Sequence, residues 1–341
     1  CDGPSITISS TADATAISNC GNYNGDIIIA DSTSGALALA GISHLKGDLT
    51  CNNATKLDEI SFAGLVTISG SFILKGLPVL SGLKFDSLME VAGDILWADL
   101  PALQGLDFAT GIVTADRVSI SNTALRELSG LELTTCNALE VSNNPDLAAV
   151  NFNDLTNTTN SISISANSPS LEVNLQRLTI SRGITLQNAN TLDVPLLETL
   201  TGTLNLSENS FGSFSAPSLT LAVDMFITGN PLLSSLMFQL LPGISGDLII
   251  TNNSRLGAIA FPDLQRVAGN VNVTGQFSRA DFPVISSIQG DAIIETSIDN
   301  STICEQFNRT GDGSCTTGTE PPESVSIDTS TNSTSSGGSN T

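Results

Sequence analysis

A right-handed parallel β-helix, all-β, with about 13 leucine-rich-like coils and short capping helices, is the fold predicted for this 341-residue chain. Three observations predict it. Gly-Asp-apolar recurs at Gly25-Asp26-Ile27, Gly47-Asp48-Leu49, Gly93-Asp94-Ile95, Gly246-Asp247-Leu248 and Gly290-Asp291-Ala292. Degenerate copies fill the gaps, so that Ile27, Leu49, Phe72, Ile95, Val118, Leu139, Ile162, Ile184, Leu204, Met225, Leu248, Val271 and Ala292 align at steps of 20 to 23 residues. A second motif, Leu-x-x-Ile-x-Phe-x-x-Leu, follows in phase at Leu57, Ile60, Phe62 and Leu65, and at Leu256, Ile259, Phe261 and Leu264. A fixed period of this length marks a solenoid, because one unit cannot bury its apolar edge and a stack of units can.

Within each unit, alternating stretches such as Asp247-Leu248-Ile249-Ile250 read as short strands. Asn-rich corners follow at Asn52-Asn53, Asn143-Asn144 and Asn252-Asn253. There Gly and Asn are expected to supply the positive φ of tight turns and Asn to form a ladder between coils. Phe62, Phe85, Phe108, Phe152, Phe238, Phe261 and Phe282 share one repeat position and are expected to form a buried stack. Trp97 falls at an inward position and reads as core. Thirteen coils at roughly 4.8 Å make a rod on the order of 60 Å. Residues 1–315 read as one continuous solenoid, with two halves meeting near residue 157 as the second choice. Residues 316–341, rich in Ser, Thr, Asn and Gly, read as a disordered stalk.

Open solenoid ends need caps. Residues 11–19 predict a short helix between Cys1 and Cys20. Residues 300–302 offer N-cap chemistry to a second helix at 303–308, flanked by Cys304 and Cys315. Cys1–Cys20 and Cys304–Cys315 are local pairs at the two ends. Cys51 and Cys136 lie four coils apart, roughly 19 Å at the strand spacing, too far to bridge, so two buried free thiols are expected. Disulfides at both caps imply an oxidising, extracytoplasmic compartment. The sequence starts at Cys1 rather than Met, and a removed signal peptide is inferred.

Composition excludes several functions. Lys+Arg is 12 against Asp+Glu 34, a net charge of −22, so nucleic acid is not an expected partner. With one His, His44, read as exposed in a loop, His-based catalysis or zinc binding has almost no material. No run of 18 apolar residues is present, so a membrane is expected to be met only through a lipid anchor. Asn-x-Ser/Thr acceptors occur at Asn53, Asn157, Asn205, Asn252, Asn272, Asn300, Asn308 and Asn332. Asn205 and Asn272 point outward from a strand. Asn53 and Asn252 sit at the ladder corner, where backbone bonds could occupy them. Small residues near the end of the sequence make Gly338 and Asn340 candidate lipid-anchor positions.

The Cys1…Asn19-Cys20 opening followed by residues 25–29, the Ser142-Asn143-Asn144-Pro145-Asp146-Leu147 corner, and the Leu-x-x-Ile-x-Phe-x-x-Leu repeat resemble the leucine-rich, β-helical ligand-binding domains of insulin- and EGF-type receptors. With the Ser/Thr-rich tail and the many acceptors, the whole chain resembles the fungal GPI-anchored cell-wall organisation glycoproteins, the extracellular-mutant and sporulation-specific family. The resemblance implies a non-enzymatic glycoprotein, on the outer face of the plasma membrane or in the wall, with a role in wall integrity and morphogenesis. It implies no catalytic residues.

Two alternatives stay open. A secreted receptor-type module would bind protein or glycan through the outward row Ile28, Thr50, Ile73, Leu96, Ser119, Phe226, Ile249 and Ile293. A β-helical carbohydrate-active enzyme would use Asp26/Asp48 or Asp224/Asp247, carboxylates on adjacent coils that could form a glycosidase pair or a calcium site. Against the enzyme, Asp after Gly at a repeated corner is ordinary turn chemistry. No cofactor is expected. The expected partners are wall components or surface proteins of unknown identity, with self-association open.

Overall fold

The computed structural model describes residues 1–297, 301–307 and 313–318. The chain winds into a parallel β-solenoid of about 14 turns. On the first face, Ile27, Leu49, Phe72, Ile95, Val118, Leu139, Ile162, Ile184, Leu204, Met225, Leu248, Val271 and Ala292 lie opposite one another from strand to strand, all in parallel register. The 20- to 23-residue steps therefore mark true rungs. A further rung lies at each end, Asp2–Ile8 before the first and Ser314–Thr317 after the last. Neither carries the Gly-Asp-apolar signature, which is why the repeat predicts 13 coils. Thr316 and Thr317 thus belong to the solenoid and not to the stalk, and Gly318 still donates its N–H to the Thr296 carbonyl at 3.0 Å; residues 319–341 lie outside the described ones.

The other two faces are less regular. The second consists of three short sheets. These are Ser34–Ala38, Lys56–Ser61 and Gly82–Lys84; Ala149–Asn151, Glu172–Asn174 and Thr191–Asp193; and Ser213–Ser215, Ser235–Met237, Ala258–Ala260 and Arg279–Asp281. Between the first two, two 12-residue strands, Ile112–Thr123 and Leu131–Ser142, run alongside each other. The first face passes residue 157 without a break, Leu139 pairing Ile162 and Ile162 pairing Ile184.

Inward side chains of all three faces fill one continuous apolar core. All seven in-phase Phe residues are buried, but they form two stacks rather than one. Phe62, Phe85 and Phe108 are in ring contact, with centroids 5.4 Å apart at each step. Phe238, Phe261 and Phe282 follow at 4.9 and 5.2 Å, extended by Phe214 and Phe307. Between the stacks Phe152 is followed one lap on by Leu175, and Ala216 also takes the Phe position in the main-chain register. Trp97 is fully buried, edge-on to Phe72 and Phe108.

The caps are short helices. The first, Thr11–Ala16, starts at Ser10, whose Oγ accepts from the Asp13 N–H at 3.3 Å. Asp13 in turn accepts from the Ser9 side chain and backbone and from Ser10, and these bonds hold its carboxyl below the usual carboxylate range. The second helix spans Ser301–Phe307. Disulfides Cys1–Cys20 and Cys304–Cys315 close the two ends, each with Cα atoms 5.4 Å apart. Cys51 and Cys136 are free and buried.

Candidate functional surface

The Asp column was the strongest catalytic candidate, and its geometry is that of a splint between laps. Asp26 Oδ1 accepts the Asp48 N–H at 2.9 Å, and Asp48 Oδ1 accepts the Ser71 N–H at 2.7 Å. In the C-terminal third, Asp224 Oδ1 accepts the Asp247 N–H at 3.0 Å, Asp247 the Asn270 N–H at 2.7 Å, and Asn270 the Asp291 N–H at 3.0 Å. Ser71 and Asn270 serve in the same column, so the role needs an acceptor, not a negative charge. The paired carboxylates are each engaged with the next lap's main chain, which explains their recurrence without catalysis.

The glycine before a column residue, as in Gly70-Ser71 and Gly269-Asn270, has a related cause. A Cβ on Gly70 would collide with Asp48 Oδ1 and lie 2.7 Å from the Gly47 carbonyl carbon; one on Gly269 would collide with Asp247 Oδ1 and lie 2.6 Å from the Gly246 carbonyl carbon. The requirement at these two is close approach of adjacent laps; at the first rung Gly25 also takes a positive φ, 139°. The positive φ expected of Gly and Asn at the Asn-rich corner is found there, at Asn53, Gly76, Asp99, Asn122, Asn143, Ala166, Asn188, Glu208, Gly229 and Asn252, with φ near +60°.

That corner also corrects the ladder. In Asn143-Asn144 and Asn252-Asn253 the first Asn turns the chain and stays exposed, while in Asn52-Asn53 the turning residue is the second and Ala54 follows it. Where the residue after the turn is Asn, it makes the ladder: Asn144 accepts from the Thr123 N–H and Asn167 from the Asn144 N–H. Asn209, Asn230 and Asn253 repeat this at 2.9 to 3.0 Å, while their Nδ2 groups donate to carbonyls of the preceding lap. The acceptors Asn53 and Asn252 are therefore not tied up in the ladder. Of the others, Asn157 is exposed, and Asn205 and Asn272 are half-buried on the outer side of the first face. Asn300, Asn308 and Asn332, with the anchor candidates Gly338 and Asn340, lie outside the described residues.

The outward row of the first face changes character along its length. Ile28, Ile73 and Leu96 are apolar; Ser119, Glu140, Ser163 and Thr185 are polar; then Asn205, Phe226, Ile249, Asn272 and Ile293 follow. Ile28 and Ile293 are each 37% exposed. Sequence reasoning had no signal for a groove of about 470 Å³ bordered by Leu221, Pro242, Gln265 and Arg266, on the third face, where Gly243–Ile244, Arg266–Val267 and Ser287–Ile288 pair. A smaller acidic recess of about 160 Å³ lies by Glu127, Glu132 and Asp154. His44 lies in a two-residue strand, not a loop, exposed, with Nδ1 2.8 Å from Thr67 Oγ1. Among the described residues no group of three or more His, Cys, Asp or Glu is arranged to hold a metal ion, and no helix is long and apolar enough to cross a membrane.

The thiols are chemically quiet. Burial pushes Cys51 up to about 12 and Cys136 up to about 11, so both stay protonated and poorly nucleophilic.

No family model and no solved structure matches the chain. Curated relatives do. It is 34% identical over 304 residues to "Protein ecm33" of Aspergillus fumigatus, covering 89% of this chain and 76% of that one. It is 30% identical over 292 residues to a "Cell surface GPI-anchored protein" of Arthroderma benhamiae, covering 85% and 75%. It is 29% identical over 306 residues to "Cell wall protein ecm33" of Schizosaccharomyces pombe, covering 89% and 72%. These names describe a place in the cell and no enzymatic activity.

Proposed function

We propose, for a chain that belongs to the fungal Ecm33 family, the role of a non-enzymatic cell-surface glycoprotein that contributes to cell-wall organisation. The observation that carries this reading is likeness to cell-wall and cell-surface proteins along the whole repeat array, not at one motif. The engaged Asp column supports the non-enzymatic part, because the carboxylates that might have formed an active pair cap backbone N–H groups of the next lap. The array acts as a stiff post, held at the membrane by a glycolipid anchor near Gly338 and Asn340, and it meets wall components or other surface proteins along its faces.

The test is complementation. In a fungus lacking its own Ecm33 homologue, the full-length gene should restore resistance to wall stress. The triple variant Asp48→Asn/Asp224→Asn/Asp247→Asn should restore it equally well. A displayed and folded triple variant that fails to complement would overturn the non-enzymatic reading. Release of the surface protein by phosphatidylinositol-specific phospholipase C tests the anchor, and retention would count against it.

A further inference from the structure

We propose that N-linked glycans on Asn205 and Asn272 lie over Phe226 and Ile249 and complete the outer surface of the C-terminal third of the first face. The register sets the arrangement. Asn205 lies opposite Phe226, Phe226 opposite Ile249, Ile249 opposite Asn272, and Asn272 opposite Ile293. At roughly 4.8 Å per strand, two acceptors about 14 Å apart bracket two apolar side chains.

Each acceptor triplet is laid along a strand. In Asn205-Leu206-Ser207 and Asn272-Val273-Thr274 the central residue is fully buried, and the Asn and the hydroxyl residue both face outward. Strand alternation and the two-residue spacing of the acceptor motif coincide here.

The modification is ordinary group transfer. The co-reactant is a lipid-pyrophosphate-linked oligosaccharide of the secretory pathway. Asn Nδ2 forms a bond to C1 of its first N-acetylglucosamine, the C1–O bond to pyrophosphate breaks with its electron pair, and the amide loses one proton. Once the strand is folded, the C–H face of the sugar ring covers Phe226 and Ile249, and the gain is burial of apolar surface. The N-terminal apolar row of Ile28, Ile73 and Leu96 has no acceptor within the row itself; the acceptor in these laps, Asn53, lies at the corner after the strand Leu49–Asn52.

The test uses the full chain secreted from a fungal host. Site-resolved glycopeptide mass spectrometry should find both Asn205 and Asn272 occupied. The Ser207→Ala/Thr274→Ala variant keeps both Asn side chains and removes the acceptor motifs. It should bind an apolar dye several-fold more strongly and associate with rising concentration, and adding Phe226→Thr/Ile249→Thr should reverse both changes. Where that variant is not secreted, wild-type protein stripped after folding by peptide N-glycosidase should show the same gains. Bare Asn205 or Asn272 in the wild type overturns the proposal, as does a glycan-free protein with unchanged dye binding and association. Occupancy at Asn53 or Asn157 alone would overturn it while leaving the cell-surface reading in place.

Discussion

Between residues 25 and 110, and again between 224 and 295, adjacent laps are joined by an Asp, Asn or Ser side chain at the start of the first-face strand and by stacked Phe rings inside. Between 112 and 210 both devices lapse. Arg117, Ala138, Ser161, Gly183 and Thr203 stand where the Asp column runs, and Leu175 takes the Phe position one lap beyond Phe152. Other devices serve there: the Asn144–Asn167 step and a buried Thr158–Ser181 hydroxyl pair at 2.8 Å, with the Asn209–Asn230–Asn253 ladder starting at the end of this stretch and running on beside the Asp column. The first-face register nevertheless continues through the middle. Main-chain hydrogen bonding sets the height of a lap, and the side-chain ladders that reinforce it are interchangeable.

The largest expected difference between the regions lies in the core. Phe85→Ala or Phe261→Ala should cost about 3–5 kcal/mol, with roughly 1 kcal/mol of that from the lost ring contacts. Phe152→Ala, equally buried and with no ring contact among the described residues, should cost about 1 kcal/mol less. Chemical denaturation of the three variants checks this, and equal losses would remove the energetic distinction between stacked and unstacked laps.

Next come the ladders. Asn230→Ala strips the Asn209 N–H of its acceptor and the Leu206 carbonyl of its donor, and should cost about 1–3 kcal/mol. Asn252→Ala, exposed and one residue before the ladder, should cost only its positive φ, about 1 kcal/mol. Gly269→Ala should cost roughly 1–3 kcal/mol through overpacking of adjacent laps, whereas Asp247→Asn should be nearly neutral because Asn270 already fills that role one lap on. Thermal melts of the four variants rank them.

These pairs mark where the sequence was legible. The rungs could be read because a Gly-Asp signature and an inward residue recur together, and the Phe column because its members share a phase. The ladder was misplaced by one residue: in Asn143-Asn144 and Asn252-Asn253 both members have the right chemistry, and only backbone conformation separates the turning residue from the bonding one. The Gly-Asp pair was visible, but the reason for its glycine was not, since the atom that excludes a side chain belongs to the previous lap. The breaks in the second face left no mark, because they lie in main-chain pairing. The third-face groove is formed by residues a lap apart, without a shared motif.

The smallest effect concerns the buried thiols, one in each region. Their folded values are raised, so the stability they contribute is full below about pH 9, where the unfolded thiols also stay protonated, and is lost as pH rises toward about 12 for Cys51 and about 11 for Cys136. Cys51→Ser/Cys136→Ser should flatten that alkaline decline in a pH series of melts. In the native wild type, a thiol reagent at neutral pH should label neither residue.

Unbroken lap height through the middle can be measured directly with paired spin labels on the outward row. Thr50 serves as the common partner of Ser119, Thr185 and Ile249, which lie three, six and nine rungs away. At roughly 4.8 Å per rung the separations should climb evenly, near 14, 29 and 43 Å before allowance for the label arms. A distance to Thr185 or Ile249 well short of that line would contradict a continuous solenoid and place a bend or a second body in the middle laps.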